Sequence, residues 1–141
     1  MKLSDYVAQK SVEYGVKHVF MVTGGGAMHL NHSFGTHKNL ECIFNHHEQA
    51  CAIGAEAYSR QSNRLPIVNV TSGPGGTNTI TGVYGAWVDS IAMLVISGQV
   101  KWETTVRSTG LALRQYGDQE LDIEELVQPV TKYCVMVTDP L

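Results

Sequence analysis

Short apolar runs alternate with helical stretches along most of this chain, and that alternation restricts the fold more than any other feature. Residues 16–22, 40–44, 65–70 and 91–97 each read as a strand, and 130–137 as a last one. Helices are expected over 3–14 (Ser4 as cap, Gly15 as stop), 27–34, from 48 to 60 or 61, from the turn at 71–78 to Val88, and over 122–127. Between 101 and 119 the periodicity fades into a long loop with room for a short helix. Strands joined by helices pair in parallel and take helices on both faces. The expected fold is therefore α/β, a three-layer αβα domain over residues 1–141 with a mostly parallel sheet of about six strands. The run 91–97 is the most apolar and predicts a central strand buried on both faces. The ending Thr138-Asp139-Pro140 announces another element, so the domain reads as truncated at its C-terminal end.

Composition narrows the partners. Hydrophobic residues make up 43% and charged residues 16%, as in a folded domain, and a net charge of −3 without basic clusters argues against nucleic acid. Cys42, Cys51 and Cys134 are odd in number and scattered, which fits buried thiols in a reducing compartment. No apolar run has membrane-spanning length and residues 1–5 are no signal peptide, so no membrane partner and a cytoplasmic location are expected.

Three stretches could carry chemistry. Thr23-Gly24-Gly25-Gly26 follows the first strand, and without Cβ atoms that backbone can approach another molecule closely. Thr71-Ser72-Gly73-Pro74-Gly75-Gly76-Thr77-Asn78 follows the third strand and enters a helix. It fits neither a dinucleotide fingerprint nor a P-loop, so spacing leaves a plain turn and a phosphate site both open. Asn45-His46-His47-Glu48 follows the second strand, with Glu48 in the first turn of a helix. A carboxylate there faces the rim where open α/β sheets bind ligands. It also stabilises its own helix dipole by up to about 1 kcal/mol, and position alone does not separate the two roles. His47-Glu48-Gln49-Ala50-Cys51 misses the zinc motif His-Glu-x-x-His by its last residue, Ser72 is in no nucleophile elbow, and no metal ligand is expected.

Taken together, the motifs are more specific. His47-Glu48-Gln49, the 71–78 turn, Asp89-Ser90-Ile91 and Ser97-Gly98-Gln99-Val100, in this order and spacing, resemble the N-terminal pyrimidine-binding domain of thiamine-diphosphate-dependent enzymes of the acetolactate synthase group. Phe20-Met21-Val22-Thr23-Gly24-Gly25 is similar to that family's Phe-Gly-x-Pro-Gly-Gly turn, with Thr23 in place of proline. Gln119-Glu120-Leu121-Asp122-Ile123 and Gln128-Pro129-Val130-Thr131-Lys132 match its later segment.

The resemblance implies the thiamine-diphosphate-binding fold and a transferase or lyase that decarboxylates a 2-oxo acid and joins the product to an acceptor. It implies that Glu48 is catalytic, hydrogen-bonding N1′ of the cofactor's aminopyrimidine and favouring the 4′-imino tautomer that deprotonates C2. Thr23, Gly24, Gly25, Pro74, Gly75 and Asn78 would line the aminopyrimidine, and Gln99 the substrate side. Thiamine diphosphate is the implied cofactor. Its diphosphate and Mg²⁺ would belong to a diphosphate-binding domain with a Gly-Asp-Gly…Asn motif, which this chain lacks, elsewhere in the full-length protein or on a partner chain. FAD, where a parent enzyme carries it, would lie mostly in a middle domain.

The small residues Ala50, Gly54 and Ala57, with Tyr58, are expected to pack a homodimer through the Glu48 helix, with ordinary helix-on-sheet packing as the alternative. The isolated chain is expected to be inactive. A separate α subunit of a two-chain 2-oxo acid decarboxylase and a non-catalytic module that kept the fold stay open. Residues 101–118, with Trp102, Arg107 and Arg114, depart from the acetolactate synthase pattern and leave substrate and acceptor open.

Overall fold

The computed structural model describes residues 1–139, so the expected chain end at Pro140 and Leu141 lies outside the described residues. Four strands, β1 (His18–Met21), β2 (Glu41–Phe44), β3 (Ile67–Val70) and β4 (Leu94–Ser97), pair in parallel in the order β2-β1-β3-β4. Met21 of β1 stands opposite Phe44 on one side and Asn69 on the other, and Asn69 stands opposite Ile96. Pairing of β3 starts only at Ile67, because Pro66 has no N–H to give; its carbonyl instead accepts the Leu94 N–H at 3.1 Å.

Side-chain alternation along the strands builds two cores. Val19, Met21 and Ile67 face α1 (Leu3–Glu13) and α2 (Met28–Thr36), where Ala8, Val16 and Phe34 are also buried. Phe20, Val68 and Val70 face the other way, onto Cys51 and Ala55 of α3 (Glu48–Ser62), with α5 (Ile80–Val88) packed beside α3. That is the expected three-layer arrangement. Each large side chain buried in it contributes about 1.5–3 kcal/mol against exposure. A hydroxyl pin joins α1 to α2, where Ser33 Oγ lies 2.8 Å from Ser4 Oγ and 2.7 Å from the Asp5 carboxylate. The helix α3 ends where Asn63 adopts a left-handed backbone (φ 53°), which asparagine tolerates better than most residues.

Several expectations need correction. Ser4 does not cap α1; Lys2 precedes the helix without a side-chain cap, and Ser4 is buried against Ser33. The most apolar run is an edge strand: β4 lies outermost, Leu94 is 43% exposed, and β3 holds the fully buried place. Apolar content alone therefore does not mark a central strand: none of the four β4 residues is fully buried. The helix expected to reach Val88 divides into α4 (Pro74–Asn78) and α5 around Thr79, whose hydroxyl donates to the Gly76 carbonyl at 2.6 Å and competes with the backbone ladder. Residues 130–137 form no strand: a 3₁₀ turn at Gln128–Val130 leads into irregular chain with Tyr133 and Val137 exposed. The described residues thus hold four strands where about six were expected.

The small-residue face of α3 also divides. Gly54 sits against the Phe20 ring and Tyr58 against His18 and Phe20, so both serve helix-on-sheet packing. Ala50, Ile53 and Ala57 face solvent. No helix among the described residues is long and apolar enough to cross a membrane.

The loop that lacked periodicity is held by hydrogen bonds instead. It carries α6 (Val106–Thr109), and the Glu120 carboxylate accepts the backbone N–H groups of Val106 (2.6 Å), Gly117 (3.0 Å) and Tyr116 (3.3 Å). Arg107 bridges Asp122 and Glu124, tying α6 to α7 (Ile123–Val127).

Candidate functional site

Parallel strands put the turns after β1, β2, β3 and β4 on one edge of the sheet. The chain runs outward from β1 to β2, then crosses to β3 on the other side of β1. The crevice at such a reversal lies between the carboxyl ends of β1 and β3, where open α/β sheets take ligands. The two glycine-rich turns are the loops that leave those ends.

These turns touch. A Cβ on Gly24 would lie 2.4 Å from Thr71 Cβ, so only glycine fits there. The Gly26 N–H donates to Thr71 Oγ1 at 3.0 Å. The Gly24 carbonyl accepts the Ala27 N–H (3.2 Å) and the Asn31 side-chain amide (3.2 Å). On the second turn Gly73 has φ 56°, and a Cβ there would meet the Gln119 carbonyl at 2.3 Å. That position needs glycine both for its backbone and for space.

Glu48 enters from β2. The Asn45 N–H donates to the Met21 carbonyl (3.1 Å), which keeps the chain beside β1 as it leaves the sheet. His47 caps α3 through Nδ1, which accepts the Gln49 N–H at 3.1 Å. Glu48 is the first helical residue and is half-buried. Its Oε2 accepts the Asn78 side-chain amide at 2.9 Å. Asn78 ends α4, the helix launched by the second glycine turn. Among the described residues the other oxygen, Oε1, accepts no hydrogen bond, and no cation pairs with this carboxylate. One turn along, burial and the Glu48 charge push the Cys51 thiol up to about 11, so Cys51 is a packing residue and not a nucleophile.

The expected site residues fall into two groups. Gly24, Gly25 and Gln99 line an open cleft of about 840 Å³, together with Thr71, Ser72, Lys101, Tyr116 and Gln119. Glu48 and Asn78 form the second group, joined to the first through α4 and Thr71. Gly75 is buried beneath Thr71, Pro74 is exposed, and Thr23 is exposed without lining the cleft. Gln99 has both ends of its amide engaged, donating to the Leu121 carbonyl (2.9 Å) and accepting the Val100 N–H (3.0 Å). It braces the cleft wall.

Sequence reasoning passed over Asn31 and Asn69, whose signal was an asparagine inside the apolar run Ile67-Val68-Asn69-Val70. It placed Gln119 in a matching segment without giving it a site role; Gln119 lines the cleft with a left-handed backbone (φ 55°).

A cofactor with a flat heteroaromatic end suits this edge. Glycine backbone offers surface without side chains, and Glu48 supplies an acceptor oxygen held at one end by a neutral amide.

Comparison with known proteins gives the family. Residues 1–126 match the family model for the thiamine pyrophosphate enzyme, N-terminal TPP binding domain. The acetolactate synthase large subunit of Buchnera aphidicola (from Acyrthosiphon pisum) is 35% identical over 95% of this chain and 22% of its own length. That of Lactococcus lactis is 35% identical over 96% of the chain and 22% of its own length. Acetolactate synthase isozyme 3 large subunit of Escherichia coli is 34% identical over 95% and 22%. The chain thus spans about a fifth of the length of these relatives. On fold, on the meeting of its two glycine turns and on this match, the chain belongs to the family of thiamine pyrophosphate enzyme N-terminal TPP binding domains.

Proposed function

We propose that residues 1–141 form one domain, the pyrimidine-side half of a thiamine diphosphate site in an acetolactate synthase-like enzyme acting on a 2-oxo acid, with Glu48 as the activating carboxylate. The observation that carries this is the state of Glu48, with one oxygen fixed by Asn78 and the other without a partner among the described residues. When bound, thiamine diphosphate supplies the carbon nucleophile that adds to the 2-oxo acid and takes up the electrons released by decarboxylation. Glu48 Oε1 would hold and exchange a proton at the aminopyrimidine ring nitrogen. Asn78 keeps the carboxylate from rotating away, so that its other oxygen stays directed at the ring nitrogen. Gly24 and Gly25 present backbone to the ring face, and Thr71 holds the two turns together. Lys101, Tyr116 and Gln119 stand on the substrate side of the cleft, beside Gln99. Diphosphate, Mg²⁺ and any flavin would be held by other domains or chains.

The same reading assigns the exposed face of α3 and α5 to self-association. Ile53 is 45% exposed on α3, and Tyr84, Trp87 and Val88 are 47–59% exposed on α5. Large apolar side chains gathered on one side of a domain mark an interaction surface.

Glu48→Gln in the full-length protein tests the central claim. It keeps the shape and removes the charge. Exchange of the cofactor C2 proton, followed by NMR, should slow by about two orders of magnitude or more. Unchanged exchange would remove Glu48 from the mechanism.

A further inference from the structure

Asn69 is wholly buried in the middle of β3, between Met21 and Ile96 of the neighbouring strands. An asparagine is a poor strand former, and an apolar side chain would suit this core better. Its amide nitrogen donates to Asn31 Oδ1 at 2.7 Å, and Asn31 donates in turn to the Gly24 carbonyl at 3.2 Å. Asn69 Oδ1 finds no partner among the described residues, so the core tolerates an unsatisfied buried acceptor to keep this link. Two residues on, the same strand delivers Thr71, whose hydroxyl oxygen accepts the Gly26 N–H at 3.0 Å. One strand therefore grips the first glycine turn at both ends: its carbonyl at Gly24 through α2, and its N–H at Gly26 directly.

We propose that Asn69, acting through Asn31, is a positioning residue that fixes the first glycine turn against the cofactor's aminopyrimidine. The proposal rests on the reading of that turn as a wall of the thiamine diphosphate site. Neither asparagine lines the cleft. Their role is to set where the Gly24–Gly26 backbone lies. Displacement of such a wall by about 1 Å costs on the order of a hundredfold in rate.

The test is the double substitution Asn31→Leu with Asn69→Leu in the full-length protein. Replacing both partners of a buried hydrogen bond by apolar groups of similar shape is nearly neutral or stabilising. A purely structural role therefore predicts no local change, whereas a positioning role predicts a loosened turn in an intact fold. The expected result has three parts: an unchanged or higher thermal midpoint, amide hydrogen exchange at Gly26 and Ala27 at least tenfold faster by mass spectrometry, and at least tenfold weaker thiamine diphosphate binding. Asn31→Ala, on the half-exposed side of α2, should speed the same two amides. Unchanged exchange at Gly26 and Ala27 in both variants would overturn the proposal. So would faster exchange spread over the whole sheet, which would make the pair a core requirement. Glu48→Gln separates this claim from the functional reading, because it should leave turn protection untouched while slowing C2 proton exchange. If Glu48→Gln slows nothing, the reading of the site fails, while the protection data still decide whether the asparagines hold the turn.

Discussion

Replacing Gly24 by alanine probes the contact between the two glycine turns. The backbone at Gly24 is extended, with φ −166°, so alanine adds no backbone strain. The cost comes from the added carbon, which would lie 2.4 Å from Thr71 Cβ and 2.7 Å from both Thr71 Cγ2 and Oγ1. Ordinary contact begins near 3.4 Å, so the turns must part by about 1 Å. Thr71 is β-branched and stiff, and moving it lengthens its hydrogen bond from the Gly26 N–H. Overpacking of this kind costs about 1–3 kcal/mol, and the narrower unfolded state of alanine offsets about 0.4–1 kcal/mol. The expected net loss is about 1–2 kcal/mol, read as a lower urea midpoint at unchanged slope. Thr71→Gly removes all three clashing atoms. Alone it also destabilises, by about 1 kcal/mol, through loss of the hydroxyl oxygen that accepts the Gly26 N–H. Combined with Gly24→Ala it makes room for the new carbon, so the double variant should be more stable than the two single losses added together, by about 1–2 kcal/mol. A coupling within about 0.5 kcal/mol of zero would mean that the turns move independently, and the case for one continuous binding surface would fail.

Three further outcomes follow from the geometry. Glu120→Ala removes an acceptor shared by three backbone N–H groups and should destabilise residues 101–120 by about 1–3 kcal/mol, seen as faster amide exchange at Val106 and Gly117 with the sheet unaffected; a change confined to the substituted position itself would count against the hub. With its pKa raised to about 11, the Cys51 thiol should be only about one part in a thousand thiolate at pH 8. It should resist alkylation in the folded protein until pH rises well above 9, and Glu48→Gln should lower that threshold by removing the second cause of the shift; rapid labelling of Cys51 at neutral pH would refute its burial. Trp87→Ala with Tyr84→Ala should weaken self-association about tenfold or more by sedimentation, and a wild-type protein that stays monomeric at high concentration would reject that face as an interface.

The layers were legible because strand and helix alternate clearly as far as residue 97, and because both glycine turns directly follow apolar runs. What failed depends on partners that a linear pattern does not contain. The place of β4 at an edge is set by which strand lies beside β3, and its apolar run gives no sign of it. The segment 130–137 has strand chemistry, yet no ladder takes it up among the described residues. The break at Thr79 turns on one hydroxyl choosing the Gly76 carbonyl. The loop at 101–119 is ordered by a carboxylate that follows it in sequence, so its own composition gives no sign of structure.

The two readings of Glu48 that position alone leaves open make different use of its hydrogen bonds. A carboxylate in the first turn of a helix could serve only the helix, by accepting its free N–H groups and complementing its dipole. Here the capping role is already filled, because His47 Nδ1 accepts the Gln49 N–H. The Glu48 oxygen that does accept a hydrogen bond takes it from Asn78, thirty residues away, at the end of the short helix launched by the turn after β3. A side chain needed only for its helix has no use for that long-range restraint. The restraint has a use if the carboxylate must present its other oxygen in a fixed direction. Asn78→Ala therefore separates the roles: the helix reading predicts no effect beyond a small loss of stability, whereas the catalytic reading predicts slower C2 proton exchange in a protein whose α3 is intact. If exchange in that variant equals the wild type, Asn78 does not orient Glu48 for chemistry.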